Sequence, residues 1–196
     1  MDPLVVAITG ASGAPYALRL LQFLIDNEFP VHLTISPSGA QVLKQECDVD
    51  VDLNRFSLES LGVNGSADQV SYHSYKNFMS PIASGSFKTS GMVVVPCSGS
   101  TLGGIAAGTS GNLIHRAADV HLKERRKLVL VTRETPLSLI HINNMKTVTE
   151  AGATVLPAMP GWYHGVETLD DLISFIVTRI LDQFGIDNDL MRRWGK

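Results

Sequence analysis

The chain has 196 residues, of which 44% are hydrophobic and 18% charged, so it can bury the core of one domain over residues 1–196. Its formal net charge of −3 and its lack of a long basic run argue against nucleic acid as a partner. Cys47 and Cys97 are too far apart in sequence to predict a disulfide framework or a CxxC metal site. No signal-like or membrane-spanning segment is visible, which predicts a cytoplasmic protein without membrane insertion.

The first predicted unit consists of a strand, a loop of small residues and a helix. Residues 4–9 form a continuous apolar run typical of a strand covered on both faces, and the periodicity of residues 16–24 predicts a helix. The small residues at 10–14 let a ligand approach the backbone at the helix start. Only Gly10 and Gly13 match part of the dinucleotide fingerprint GxGxxG, so an NAD site is poorly supported, and a plain strand-to-helix turn stays the alternative.

The second predicted unit is a strand over residues 31–36 followed by a helix that Ser38 could cap. The helix predicted at 16–24 connects this strand to the first one, and a crossover connection through a helix makes the two strands parallel neighbours. Glu46 falls near the end of this helix, where the helix dipole disfavours an acid. Its spacing alone therefore indicates an ordinary exposed residue.

The next part of the chain carries the weakest signals. Residues 48–77 are rich in charges and glycine, and only the short stretch 70–72 is apolar. Residues 78–86 mix apolar and small side chains around a proline. This composition fits a loop that faces an apolar ligand, and it fits an ordinary connector equally well.

The most informative stretch begins with an apolar, strand-like run at 92–95, which ends in a Pro-Cys-Ser-Gly-Ser-Thr turn before a Gly- and Ala-rich helical segment. A predicted helix at 113–124 then leads to a second buried strand at 128–132, which delivers Arg133 and Glu134 at its carboxyl end. Open α/β sheets bind ligands outside the carboxyl ends of their strands, where helix starts attract anions. Both ends of this stretch therefore point to one site.

The remaining pattern continues the alternation of helices and strands. It predicts a helix at 137–150, a short strand at 154–156 and a final helix at 169–184. The chain shows no internal repeat and no low-complexity tract. Regular alternation of this kind predicts a three-layer α/β/α domain with a mostly parallel sheet.

Several charged residues indicate a phosphate-bearing ligand. Lys123 lies two turns after Arg116 on one helical stripe, which also fits a solvated face. Arg179 falls on an apolar stripe and needs either an anionic partner, most commonly a structural carboxylate, or a path for its head group to solvent. The candidate cations are Arg116, Lys123, Arg133 and Arg179, and the acids without an obvious partner are Glu46 and Glu134.

A metal site is not predicted. No group of His, Asp and Glu residues has the spacing of metal ligands, and Asp170-Asp171 lacks the further acid of the Mg²⁺-binding DDxxD pattern. Cations would therefore have to stabilise a departing phosphate in place of a metal.

Nine short motifs, spread over essentially the whole chain, carry a family resemblance. They are 9–14 (TGASGA), 83–86 (ASGS), 96–98 (PCS), 101–102 (TL), 112–114 (NLI), 116–120 (RAADV), 122–126 (LKERR), 133–136 (RETP) and 163–164 (YH). Through them the sequence closely resembles the UbiX-type flavin prenyltransferases. The series RAADV, LKERR and RETP is the most specific part, and residues 52–68 match least well.

The resemblance implies a flavodoxin-like (Rossmann-like) subunit of a homo-oligomer, commonly a dodecamer, with active sites at subunit contacts. It implies that dimethylallyl monophosphate alkylates reduced FMN at flavin N5 and then at C6. The prenylated FMN is passed to a UbiD-type decarboxylase, in many organisms for ubiquinone synthesis. Members of the family were once labelled decarboxylases themselves.

The resemblance also implies roles for individual residues. Proton handling near the flavin and the phosphate is expected of Ser12, Glu46 and Glu134, with no division of roles among them. Phe78, Met79 and Trp194 are expected to wall the pocket for the apolar tail. The expected FMN-binding residues are Gly10, Ala11, Ser12, Ser36, Ser98, Gly99, Ser100, Thr101 and Arg116. The expected prenyl-phosphate residues are Lys123, Arg133, Tyr163, Arg179 and Trp194, some from a neighbouring subunit, with Lys123 and Arg133 also catalytic.

Two alternative functions are compatible with the fold. A flavin-dependent cysteine decarboxylase expects a catalytic histidine and a PASANT-like motif, from which residues 81–86 (PIASGS) depart. A non-catalytic FMN carrier would need neither Glu134 nor a second phosphate site. The sequence leaves open the downstream decarboxylase and the use of dimethylallyl diphosphate.

Overall fold

A computed structural model describes residues 1–195 and contains one six-stranded sheet. Its strands are β1 (Leu4–Ile8), β2 (Val31–Ile35), β3 (Val70–Tyr72), β4 (Gly91–Cys97), β5 (Leu128–Thr132) and β6 (Thr154–Val155). The spatial order is β3-β2-β1-β4-β5-β6, and each pair of neighbours is parallel. The order reverses between β1 and β4, so the carboxyl ends of these strands border the crevice where such sheets bind ligands.

Helices cover both faces of the sheet. They are α1 (Ala14–Asp26), α2 (Pro37–Cys47), α3 (Gly99–Ala106), α4 (Leu113–Lys123), α5 (Leu139–Glu150) and α6 (Leu169–Gln183). Helix α1 packs against α2 and α6 on one face, while α3 packs against α4 and α5 on the other. Alternate residues of β1 serve the two cores: Val6 joins the first, and Val5 and Ala7 join the second. The predicted three-layer flavodoxin-like fold is confirmed.

Thr9 fastens the end of β1 to the end of β4. Its Oγ1 donates to the carbonyl oxygen of Pro96 at 2.7 Å and accepts the Ser98 N–H at 2.9 Å. Pro96 has no N–H to donate, and the pairing of β4 with β5 shifts register between Val94 and Cys97. The Thr9 side chain thereby fixes the two loops that flank the crevice.

Two local predictions need correction. Helix α2 is capped by Ser36 and not by Ser38, because Pro37 already has the fixed φ that suits the first helical position. The stripe expected on α6 is only partly buried: Ile176 is buried, Leu172 and Phe175 are half-buried, and Arg179 is exposed. Within residues 1–195, no helix combines the length and apolar character needed to cross a membrane.

Candidate functional site

A cavity of about 540 Å³ lies where the chain leaves β1, β2, β4 and β5. We call it the strand-end cavity. Its lining residues are Gly10, Ser36, Pro37, Ser38, Tyr75, Ser98, Gly99, Ser100, Thr101, Glu134 and His141. Most of the residues expected to hold a flavin are among them, and Glu134 joins them from the end of β5. The two ends of the central stretch thus meet at one site, as the sequence predicted.

Two helix starts supply hydrogen-bond donors to the strand-end cavity. The Oγ of Ser36 accepts the Gly39 N–H at 3.0 Å at the start of α2. The Oγ of Ser98 accepts the Thr101 N–H at 3.2 Å at the start of α3. Other N–H groups of a first helical turn have no partner inside the helix, and the helix dipole adds partial positive charge there. The cavity therefore suits a ligand rich in acceptor atoms, such as a phosphate ester.

Two glycines keep the walls of the strand-end cavity close together. A Cβ at Gly10 would collide with the Cβ of Ser38. A Cβ at Gly99 would lie only 3.1 Å from Nε2 of His141. A side chain at Gly10 therefore requires a shift of Ser38, whereas one at Gly99 requires His141 to move by only a few tenths of an ångström. Without side chains, both positions let a ligand reach the backbone.

Glu46 is bonded to the start of α1. Its Oε2 accepts the N–H groups of Gly13 and Ala14, each at 2.9 Å. Desolvation is the largest single influence on this carboxyl and opposes ionisation, but the pKa of Glu46 is still lowered. The lowering comes from hydrogen bonds of the Ser12 side chain and the two amides, together with the charge of Arg133. Glu46 is exposed, as predicted, yet it occupies the favourable start of one helix and not merely the end of another.

Arg133 and Glu134 follow β5 at the same edge of the sheet. The Nε of Arg133 is buried and has no hydrogen-bond partner among residues 1–195, which is uncommon in a folded protein. The Oε1 of Glu134 accepts the Thr135 N–H at 3.3 Å, while Oε2 lies 3.9 Å from the position of a Cβ on Gly99. The orphaned donor and the helix amides fit FMN, which carries a phosphate and ring acceptor atoms.

The described part of the chain contains no cluster of three or more His, Cys, Asp or Glu side chains that could hold a metal ion.

Arg116 and Lys123 lie on α4 and contact the segment before β4. Arg116 donates from Nε to the carbonyl oxygen of Ala83 at 3.1 Å and from Nη1 to Asp119 at 2.8 Å. Lys123 pairs with the adjacent Glu124. Neither cation lines the strand-end cavity of its own chain. Their expected contacts with FMN and with the prenyl phosphate stay predictions.

Tyr163 and Trp194 lie in a second cavity of about 520 Å³ near the C-terminus. With Phe175 they form what we call the C-terminal aromatic cluster, in which the Tyr163 and Trp194 rings meet edge-on at 5.2 Å between centroids. Tyr163 is 52% exposed and Trp194 is 80% exposed. Large aromatic side chains with this exposure indicate a binding surface.

Arg179 has the carboxylate partner that the sequence allowed as the commoner alternative. Its Nη1 lies 2.9 Å from Asp182, and its side chain is 47% exposed. Arg193 shares the same carboxylate at 2.8 Å. Arg179 is at the surface, where another subunit can reach it. Its expected contact with the prenyl phosphate stays a prediction.

Sequence reasoning did not identify four residues that line the strand-end cavity, Pro37, Ser38, Tyr75 and His141. Tyr75 follows β3 in the least periodic part of the chain, and its carbonyl oxygen accepts the Leu113 N–H at 3.0 Å. His141 is the third residue of α5, where it forms a capping box with Ser138. The spacing Ser-x-x-His just after Glu134 is the one signal that could have identified His141, although Glu or Gln is the usual residue there.

Comparisons with known proteins agree with this geometry. Residues 2–181 match the protein-family model described as Flavoprotein. The flavin prenyltransferase UbiX of Halalkalibacterium halodurans is 48% identical over 191 residues, which cover 97% of this chain and 92% of that protein. The crystal structure of AnUbiX (PadA1) in complex with FMN and dimethylallyl pyrophosphate matches with a TM-score of 0.89 at 39% identity, over 100% of this chain and 98% of that chain. The crystal structure of a dodecameric FMN-dependent Ubix-like decarboxylase from Escherichia coli O157:H7 matches with a TM-score of 0.87 at 41% identity, over 99% and 100%.

Proposed function

Because the chain belongs to the family of UbiX flavin prenyltransferases, we propose that it joins the dimethylallyl group of dimethylallyl monophosphate to reduced FMN, first at N5 and then at C6. The observation that carries this proposal is the strand-end cavity, where two helix starts and the Glu134 carboxylate meet, next in the chain to the buried Nε of Arg133. The product, prenylated FMN, serves a UbiD-type decarboxylase, in many organisms for ubiquinone synthesis. Residues 1–196 act as one flavoprotein domain.

The strand-end cavity is built to hold the flavin by its backbone. The starts of α2 and α3 offer N–H donors, and the close approach at Gly10 and Gly99 leaves them accessible. The tie through Thr9 holds the loops after β1 and β4 in fixed relation. When bound, reduced FMN supplies the nucleophilic atoms that the prenyl group joins.

Three side chains handle protons at this edge of the sheet. The lowered pKa of Glu46 keeps its carboxylate ionised at neutral pH, so it accepts the hydrogen bond of the Ser12 hydroxyl and orients that side chain. Glu134 presents a second carboxylate to the cavity, close to Gly99, where it can take or give a proton.

Cations stabilise the charge that develops on the departing phosphate. Arg133 contributes its buried Nε, which has no hydrogen-bond partner within residues 1–195. Lys123 and Arg179 supply further positive charge to the phosphate. No metal is needed in this scheme, because arginine and lysine perform the electrostatic role that Mg²⁺ performs elsewhere.

The prenyl-phosphate half of the site is completed by another copy of the chain. Lys123, Arg179 and the C-terminal aromatic cluster lie outside the strand-end cavity of their own chain. Exposed apolar residues on α5, such as Leu139 and Ile140, favour association into a homo-oligomer. The related E. coli protein is dodecameric, and we expect the same assembly here.

Anaerobic incubation of the protein with FMN, dithionite and dimethylallyl monophosphate tests the proposal. Mass spectrometry of the flavin should show the gain of one five-carbon unit, at a rate unchanged by EDTA. Dependence of the rate on added Mg²⁺ after chelation would contradict the cation scheme. Unmodified FMN together with decarboxylation of a cysteine-terminated peptide would favour the related cysteine decarboxylases, and tight FMN binding with neither product would favour a carrier.

A further inference from the structure

The tautomer of His141 is fixed by the start of α5. Its Nδ1 lies 3.3 Å from the backbone nitrogen of Ser138, and its own N–H donates to the Ser138 Oγ at 3.2 Å. A backbone N–H can only donate, so Nδ1 must be the acceptor of this pair. In the neutral imidazole the proton therefore resides on Nε2.

The Nε2–H of His141 points to the start of α3. Nε2 lies 3.1 Å from the position that a Cβ on Gly99 would occupy, and His141 lines the strand-end cavity. Within residues 1–195 no hydrogen-bond partner is found for this nitrogen, although Nδ1 has one. His141 thus holds an unused donor next to the helix amides that are available to a ligand.

We propose that His141 is a further flavin-binding residue, whose Nε2–H donates to an acceptor atom of FMN bound at the start of α3. This inference rests on the flavin binding that is part of the proposed function. It agrees with the glycine at residue 99, since a Cβ there would lie 3.1 Å from Nε2 and narrow the gap between His141 and the ligand. It also gives the Ser138–His141 capping box a purpose beyond helix stability, because the cap fixes which nitrogen faces the cavity.

Two substitutions separate flavin binding from helix capping. In His141→Asn the side-chain oxygen can take the place of Nδ1 and accept the Ser138 N–H, but nothing reaches the position of Nε2. In His141→Gln the longer side chain can place an amide N–H near the position of Nε2. If His141 only caps α5, Asn should be the milder substitution in every measurement. If it also binds the flavin, Gln should be the milder substitution for FMN affinity alone.

The affinity of each variant for oxidised FMN is measured by fluorescence titration, with thermal unfolding of the apo protein as the control. We expect His141→Asn to weaken FMN binding by about threefold to tenfold, the effect of one lost hydrogen bond, with little change in melting temperature. We expect His141→Gln to recover most of that affinity. Equal FMN affinity of His141→Asn and wild type would overturn the proposal, and so would a loss of affinity that merely follows the loss of apo stability.

Titration with riboflavin, which lacks the phosphate, locates the acceptor. A loss of affinity for both ligands assigns the acceptor to the ring or ribityl chain, whereas a loss for FMN alone assigns it to the phosphate.

¹⁵N NMR of the imidazole gives a readout independent of turnover: Nε2 should carry the proton in the apo protein, and its resonance should shift when FMN is added. A proton on Nδ1 would contradict the assignment. FMN binding without prenyl transfer by wild type would refute the proposed activity alone, whereas prenyl transfer with unaltered FMN affinity in His141→Asn would refute this inference alone.

Discussion

The strand-end cavity and the C-terminal aromatic cluster are built by the fold in different ways. The cavity is assembled inside one chain from loops after β1, β2, β4 and β5, and backbone groups and small residues form much of its wall. The aromatic cluster lies at the surface, and Trp194 presents most of its indole to solvent. One region is complete when the sheet forms, whereas the other exposes apolar surface that a ligand or a second subunit can cover.

This difference indicates which part of the proposed site a single subunit can form. Parallel topology brings the strand ends to one edge regardless of the assembly, so we expect one folded chain to supply most of the flavin contacts. Lys123 lies on α4 and Arg179 on α6, both at the surface. Within the chain, Lys123 pairs with the exposed Glu124, and Arg179 pairs with the half-buried Asp182. If the two cations bind the prenyl phosphate as proposed, we expect them to do so across a contact between subunits.

The largest effect is expected for Glu134→Gln. Gln keeps the shape and much of the hydrogen bonding of Glu134 but cannot exchange a carboxyl proton, so prenylated FMN should form about 10² to 10⁴ times more slowly, or an intermediate should accumulate. FMN affinity should be nearly unchanged, because the helix starts still donate to the flavin. Mass spectrometry of the flavin at matched occupancy gives the rate, and full turnover would remove Glu134 from the mechanism.

Arg179→Ala tests the other region. Its ion pair with Asp182 is about half exposed, so its loss should change the free energy of unfolding by less than about 1 kcal/mol. Loss of a charged hydrogen bond to phosphate should weaken binding of dimethylallyl monophosphate by about tenfold to a hundredfold, with FMN binding intact. Calorimetric titration measures both affinities. Loss of stability by several kcal/mol with unchanged substrate affinity would make Arg179 a structural residue only.

Mixing the two variants sharpens this comparison. If Glu134 and Arg179 of one site come from different chains, refolding Glu134→Gln together with Arg179→Ala should restore up to about a quarter of wild-type activity, because random mixing leaves some sites with both residues intact. Each variant refolded alone is the control. No recovery in mixed assemblies of confirmed composition would place both residues of a site in one chain.

Sequence patterns predicted the strand-end cavity well, because period and topology determine it. The runs at 4–9 and 128–132 marked strands, and chain alternation placed their carboxyl ends together. Contacts that a side chain makes with groups distant in sequence could not be predicted in this way. Glu46 is the clearest case, since its position at the end of α2 gave no sign that it bonds to the start of α1. His141 was missed because a cap by histidine departs from the usual Glu or Gln.

Gly10→Ala should disturb the strand-end cavity more modestly. The added Cβ would meet the Cβ of Ser38 and lies 3.3 Å from its backbone carbon, so the start of α2 must shift. We expect a loss of about 1 to 3 kcal/mol in the free energy of unfolding, as in overpacked cores, together with weaker FMN binding. Urea denaturation and flavin titration measure the two effects. Gly111→Ala is the matched control, because nothing lies within 4 Å of an added Cβ there and its φ, like that of Gly10, is not in the left-handed region.

An effect confined to acidic pH is expected at the histidine pair that connects β2 to the segment leading to Tyr75. His32 Nδ1 and His73 Nε2 lie 2.7 Å apart with stacked rings, and burial, followed by the neighbouring His32, lowers the pKa of His73 from 6.5 to about 4. The unfolded chain therefore binds more protons than the native state between pH 6.5 and about 4, so stability must fall as the pH falls through that interval. His73→Gln removes the titrating group, and its free energy of unfolding, measured by urea denaturation at several pH values, should decline less steeply than that of wild type. The difference in slope between the two proteins should vanish above pH 7, where His73 is neutral in both the folded and the unfolded chain. Parallel curves for the two proteins throughout this interval would show that the pair does not contribute to acid sensitivity.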